Sequence, residues 1–81
     1  MTPNYYDGKV HGYKAHKVVE DFQGDNYNLG TAITYLLRAG KKPNNPITQD
    51  IQKAIDHLEF ELKRQHNAME VLHQQGDQTE D

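Results

Sequence analysis

One row of residues constrains this chain more than any other feature. Ile51, Ile55, Leu58, Leu62, Gln65, Met69 and Leu72 follow one another at spacings of 4, 3, 4, 3, 4 and 3. That is a heptad seam, broken only by the polar Gln65. A helix over residues 47–75 carrying it spans roughly 40 Å. The rest of an 81-residue chain supplies only shorter partners. Helices expected over residues 12–23 and 28–39 would each span roughly 17 Å, too little to cover the long one. The expected fold is therefore all-α: a small three-helix domain, two short helices packed on a long C-terminal helix. Its uncovered half, Leu62 to Leu72, is expected to pair with another subunit, giving a homo-oligomer through the helix carrying Leu58, Leu62, Met69 and Leu72. The competing reading is a monomer whose C-terminal half frays around Gln65, His66 and Asn67.

The shorter elements follow from local chemistry. Residues 1–11 read as an irregular arm, because Pro3, Asn4, Asp7 and Gly8 break any helical period. Ala15, Val18, Val19 and Phe22 then recur on one helical face, and Gly24-Asp25-Asn26 ends that helix. Asn28 is the expected N-cap of the second. Leu29, Ala32, Ile33, Leu36 and Leu37 form its apolar stripe, and Gly40 suits a left-handed stop. Lys42-Pro43-Asn44-Asn45-Pro46 is a loop by composition. Residues 1–76 make a single helical domain on this reading, with Gly76 ending the long helix. The remaining 77–81, Asp-Gln-Thr-Glu-Asp, are expected to be a disordered acidic tail.

Composition excludes several chemistries. The chain has no Cys, so disulfides, thiolate zinc sites and a cysteine nucleophile are absent. It also lacks Ser, and no phosphate-cradling glycine loop of either common spacing occurs. A net charge of −3 argues against duplex nucleic acid, which asks for a basic face. No stretch approaches the ~20 apolar residues of a membrane span, and no signal-peptide core follows Met1. A cytoplasmic protein is the expectation.

Basic charge is nonetheless concentrated in the middle. Arg38, Lys41, Lys42 and Lys53 face a single acid in that interval, Asp50. Asn28, Thr31, Tyr35 and Arg38 also align along one face of the second helix. Tyr35 offers a ring for stacking, Arg38 a planar fork for phosphate, and Lys41 and Lys42 follow within a turn. That combination fits a nucleotide; the plain alternative is a solvated face whose cations complement the helix end. Lys53 either faces the same cations across a short loop or pairs with Asp50 or His57 on its own helix. His57 is the histidine of interest, on the polar side of the third helix beside Asp56.

Metal chemistry finds little support. His66 and His73 share a face but lie ~10 Å apart, and no His-Glu-x-x-His motif occurs. Asp56 and Glu59 would make one acidic pair for magnesium. The second pair that all-α nucleotide pyrophosphatases require is missing, and Glu59 is more simply a partner for Lys63.

The run Asn28-Leu29-Gly30-Thr31-Ala32-Ile33-Thr34-Tyr35-Leu36-Leu37-Arg38-Ala39-Gly40-Lys41-Lys42, followed by Asp50-Ile51-Gln52-Lys53-Ala54-Ile55-Asp56-His57-Leu58, resembles a known family. This is a small phage-encoded domain of unassigned function, grouped with a phage nucleotide kinase. Its pattern is approximately N-L-G-x-A-I-K-Y-I-x-R-A-G-x-K, then D-L-x-K-A-x-x-Y-L. The resemblance spans about residues 3–62 and is most specific at Arg38-Ala39-Gly40-x-Lys42. Pro3-x-x-Tyr6 is similar to the family's Pro-x-His-Tyr opening, with Tyr5 where His is usual. Thr34 replaces the usual lysine, and Asp56-His57 replaces an aromatic pair.

The resemblance implies functional roles for Asn28, Tyr35, Arg38, Lys42 and Lys53, and brings Tyr6 into the candidate ligand-binding set with Thr31, Lys41 and His57. Three functions stay open. The first is a nucleotide-binding protein that sequesters a nucleotide or nucleotide-derived signal to counter host defence. The second is a nucleoside monophosphate kinase-related enzyme or its accessory domain. The third is a coiled-coil interaction module. No cofactor is expected, with magnesium implied only under the second.

Overall fold

The computed structural model describes residues 4–74, with side chains through 70. The described residues form a 3-10 turn (Asn4–Tyr6) and three helices, α1 (Ala15–Gln23), α2 (Tyr27–Arg38) and α3 (Ile47–Gln74). Gly76, the acidic tail 77–81 and the side chain of Leu72 lie outside the described residues. The protein is all-α and small. No helix among the described residues is long and apolar enough to cross a membrane.

The arm is held in place by a short reversal of the chain. Asp7 and Lys14 form an isolated antiparallel bridge, the Gly8 amide donates to the Tyr13 carbonyl at 2.8 Å, and the Lys14 ammonium meets Asp7 at 3.0 Å. Gly12, at φ +73°, makes a turn that a side chain would strain. Lys14 is extended (φ −85°, ψ 129°), and α1 starts at Ala15, the first residue of the apolar stripe and three residues after the expected start at residue 12.

Helix α2 is capped two residues earlier than expected. The Asn26 side-chain oxygen accepts from the Leu29 amide at 2.9 Å, so Asn26 and not Asn28 is the N-cap. Both are Asn, and the sequence rule is equally satisfied by either. The shift releases Asn28 to point toward α3. At the other end Gly40 has φ +76°, the left-handed geometry expected there. It also lies tight against the next helix, since a Cβ on Gly40 would sit 3.3 Å from the Ile47 side chain.

The helices form a stack: α1 packs on α2, and α2 packs on α3. This corrects the expectation that both short helices pack on the long one. Gly30 explains the first contact, because a Cβ there would stand 3.1 Å from both Val19 Cγ1 and the Gln23 carbonyl. Helix α2 lies antiparallel to α3, its N-terminal Asn26 reaching Glu61 and its C-terminal Arg38 reaching Asp50.

The face of α3 that meets α2 is the second correction. It is the row Asp50, Ala54, His57 and Glu61, at helical spacings of 4, 3 and 4. Ala54 and, across from this row, Ala32 are nearly fully buried. The heptad seam begins one residue further along, rotated about 100° from that contact. Ile51, Ile55, Leu58, Leu62 and Met69 all stay exposed to between 40% and 57%. The short helices cover the first half of the seam only partly, leaving Ile51, Ile55 and Leu58 40–44% exposed against 54–57% for Leu62 and Met69. Fully buried apolar side chains are limited to Ala15, Ala32 and Ala54 among the described residues.

The close α1–α2 approach predicts a specific cost. Gly30→Leu has the better helix former, yet it must displace Val19 and the Gln23 carbonyl. Overpacking of this kind costs about 1–3 kcal/mol, to be read as a lower urea midpoint at unchanged m-value.

Candidate functional site

Two polar clusters clamp α2 to α3. At one end, Asp50 is completely buried and its Oδ1 accepts from Arg38 Nη2 at 3.2 Å and from the Asn45 amide at 2.9 Å. Arg38 Nη1 donates to the Tyr6 hydroxyl at 2.9 Å, which fixes the arm to the same cluster. Burial works against the guanidinium charge, but the hydrogen bonds to Tyr6 and Asp50 outweigh it and raise the Arg38 pKa. Arg38 Nε and Asp50 Oδ2 are buried with no protein partner. The pair is therefore incompletely satisfied, and its main effect is to fix how the helices meet.

At the other end Glu61 is buried to 5% exposure and accepts from four residues. Arg64 donates twice (2.9 and 2.8 Å), Gln65 at 2.6 Å, Asn26 at 3.1 Å and Asn28 at 3.5 Å. Arg64 first, then Gln65 and Asn26, stabilise the carboxylate and hold its pKa at about 2. Asn28, with its amide nitrogen toward Glu61, presents its carbonyl oxygen to His57 Nδ1 at 3.0 Å. That orientation asks His57 to carry its proton on Nδ1, leaving Nε2 as the free ring acceptor.

Between the clamps lies an open shelf on the flank of the α2–α3 pair opposite the seam. His57 is its centre: Tyr35 stacks at 6.1 Å with an interplanar angle of 25°, and Tyr27 and Phe60 stand edge-on at 5.7 and 5.6 Å. The Arg38 guanidinium lies 4.8 Å from the Tyr35 ring centre and the Lys53 ammonium 5.9 Å from it, both within cation–π reach. Tyr27 and Phe60 are strongly exposed, so planar faces and a cation meet solvent side by side.

The sequence candidates separate accordingly. Asn28, Tyr35, Arg38, Lys53 and His57 come together, and Tyr6 joins them through its hydroxyl. Thr31 lines a recess of about 420 Å³ shared by α1 and α2, together with Val19, Gly30 and Thr34. Lys41 instead closes a tyrosine-lined recess of about 410 Å³ beneath the arm, beside Tyr5, Tyr6 and Tyr13. Its ammonium donates to the Leu37 carbonyl at 3.3 Å. Lys42 is half-buried in the loop that follows α2. Tyr27 and Phe60 were not anticipated, although the spacing Lys53, His57, Phe60 marks one face of α3 and carried the signal.

No three His, Asp or Glu side chains among the described residues are grouped to hold a metal ion. Comparison with protein-family models, with curated proteins and with solved structures gave no match.

Arg38 thus does work that a ligand contact alone would not require. Arg38→Ala strands Asp50 in a buried site without its cation, an error that costs about 3–5 kcal/mol. Arg38→Met combined with Asp50→Leu should restore much of that loss in the same denaturation experiment. Glu61 sets an acid limit. Its folded pKa of about 2 lies below the ordinary 4.5, so its contribution is complete above the ordinary value and fades as protons bind toward the folded one. Thermal midpoints should therefore fall as pH drops from about 4.5 to about 2, and Glu61→Gln should flatten that dependence.

Proposed function

We propose that this protein holds a nucleotide or nucleotide-derived signal on the α2–α3 shelf, without turning it over. The observation that carries the reading is Tyr35 with His57 stacked beside it and two cations, Arg38 and Lys53, near its ring. A base has planar partners in Tyr27, His57 and Phe60, and a phosphate has the Lys53 ammonium at the edge of the same surface. Base–aromatic stacking contributes about 1–3 kcal/mol per base, and an ammonium adds charge without demanding a fixed geometry. Arg38 enters this reading as the residue that positions Tyr35, because Asp50 and Tyr6 already engage its terminal nitrogens.

The resemblance of residues 3–62 to a phage-encoded, nucleotide-kinase-related family supports the same ligand class. With it, the proposed role is sequestration of a host nucleotide signal in the host cytoplasm. Lys42, which the resemblance also marks, is half-buried in the loop that follows α2. The protein acts as a homo-oligomer on this reading, associating through the exposed α3 seam that includes Leu58, Leu62 and Met69. That seam also favours a second reading, an interaction module that recruits another protein.

Titration calorimetry with the four common ribonucleoside triphosphates, and native mass spectrometry of protein purified gently from cells, test the proposal. Phe60→Ala and Lys53→Ala alter exposed side chains, so helical content and thermal midpoint should stay in place. Affinity should fall about 5- to 150-fold for the loss of one stacked base contact. Undiminished affinity in both variants would sink the shelf as the binding site.

A further inference from the structure

We infer that two copies of this chain complete a four-helix bundle, in which α2 supplies part of the interface and not α3 alone. The inference rests on the self-association proposed above and names the surface that makes it. Helices α2 and α3 are antiparallel, so the residue following each contact position falls on the same flank of the pair. On α2, Leu29, Ile33 and Leu36 follow the contact row Asn28, Ala32 and Tyr35. On α3, Ile51, Ile55, Leu58 and Leu62 follow Asp50, Ala54, His57 and Glu61. Just past the end of α2, a Cβ on Gly40 would meet Ile47, one turn before Ile51. The two apolar rows are therefore one surface.

That surface is half of a bundle core. Leu36 is 51% exposed and Leu62 57%, values that fit side chains awaiting a partner. The radius of gyration is 16.5 Å, against about 12 Å for a compact domain of this length. A single chain does not close a core around these residues.

The occupant is a second copy because of length and register. Helix α3 runs thirteen residues past Glu61, Leu62 to Gln74, which is roughly 20 Å with no α2 beside it. Its heptad spacing continues through that segment to Met69. A covering partner must be equally long and carry the same repeat, and α3 of another copy has both properties. The acidic tail 77–81 contains no apolar side chain and cannot serve. The seam's outer border, Gln52, Glu59 and His66, carries one fixed charge, so two such borders meet without a block of like charge. In four-helix bundles, paired antiparallel helices pack around such rows at about 20°. Back-to-back pairing leaves both aromatic shelves facing outward.

Sedimentation equilibrium of the full chain reads the outcome directly. Wild type should weigh about twice 9.3 kDa at tens of micromolar. Leu58→Glu and Leu36→Glu should each weaken the dimer at least tenfold, whereas Phe60→Glu, on the opposite flank, should not. The absence of native cysteine permits a second reading that does not depend on a destabilising change. Leu62→Cys should oxidise to a disulfide-linked dimer, and Lys53→Cys should form no disulfide link under the same conditions. A monomeric wild type would overturn both the bundle and self-association. A dimer weakened by Leu58→Glu but indifferent to Leu36→Glu would leave self-association standing and overturn the composite face. Equal cross-linking at Leu62→Cys and Lys53→Cys would also overturn it.

Discussion

The structure depends on a polar contact between two antiparallel helices. Asp50, buried and bonded to Arg38 and Asn45, and Glu61, buried and bonded to Arg64, Gln65, Asn26 and Asn28, stand at the two ends of the α2–α3 interface. Only small side chains, Ala32 and Ala54, are fully buried between them. An alanine contact removes little apolar surface from water and so supplies modest stabilisation. What it permits is close approach, and what the charged clusters supply is selection of one register. A slipped pairing of α2 on α3 takes Arg38 from the buried Asp50, leaving its charge uncompensated, and takes Asn26 and Asn28 from Glu61, which keeps Arg64 because that residue lies on α3 itself. Arg38 has the added effect of tying the arm to this register through Tyr6.

This arrangement explains which parts of the fold were legible. Helix positions follow from period, from Gly40 and from the turn residues, and the described helices lie close to where those signals put them. The packing face did not follow. The apolar rule assigns the richest stripe of α3 to contacts inside the chain, and Ile51, Ile55, Leu58 and Leu62 make that stripe. The row actually used, Asp50, Ala54, His57 and Glu61, holds two acids and a histidine. Its pairing becomes visible only once Arg38, Asn26 and Asn28 are seen opposite it. A hydrophobic pattern marks an apolar surface without saying whether the chain's own helices cover it.

The candidate site was legible in the same uneven way. Tyr35, Lys53 and His57 share a surface because Tyr35 and His57 meet at the edge of one helix contact and Lys53 lies one turn before His57 on α3. Arg38 was read as a phosphate fork, and a guanidinium suits that role as well as it suits a buried carboxylate. The deciding neighbour was Asp50, twelve positions away and on another helix. Asn28 shows the converse. Its reading as a cap failed because Asn26 does that work, and the displaced side chain instead orients His57. Thr31 and Lys41 share the sequence neighbourhood of Tyr35, but Thr31 lines the recess between α1 and α2 and Lys41, past the end of α2, lines the one beneath the arm.

The shelf and the apolar flank are two sides of one helix pair, and this couples them physically without any contact between them. Each surface exists only while α2 and α3 keep their register, since Tyr35 and Leu36 on one helix and His57 and Leu58 on the other are sequence neighbours facing opposite ways. A ligand on the shelf stabilises that register, and so does a second copy on the flank, because each binds the paired helices and not the separated ones. Binding at either surface then favours binding at the other by the population of paired helices it adds. The coupling is largest where the unliganded chain is least stable. Among the described residues the buried apolar side chains are three alanines, which places this domain at that end of the range, so the proposed oligomerisation and the proposed ligand capture would draw on the same marginal packing.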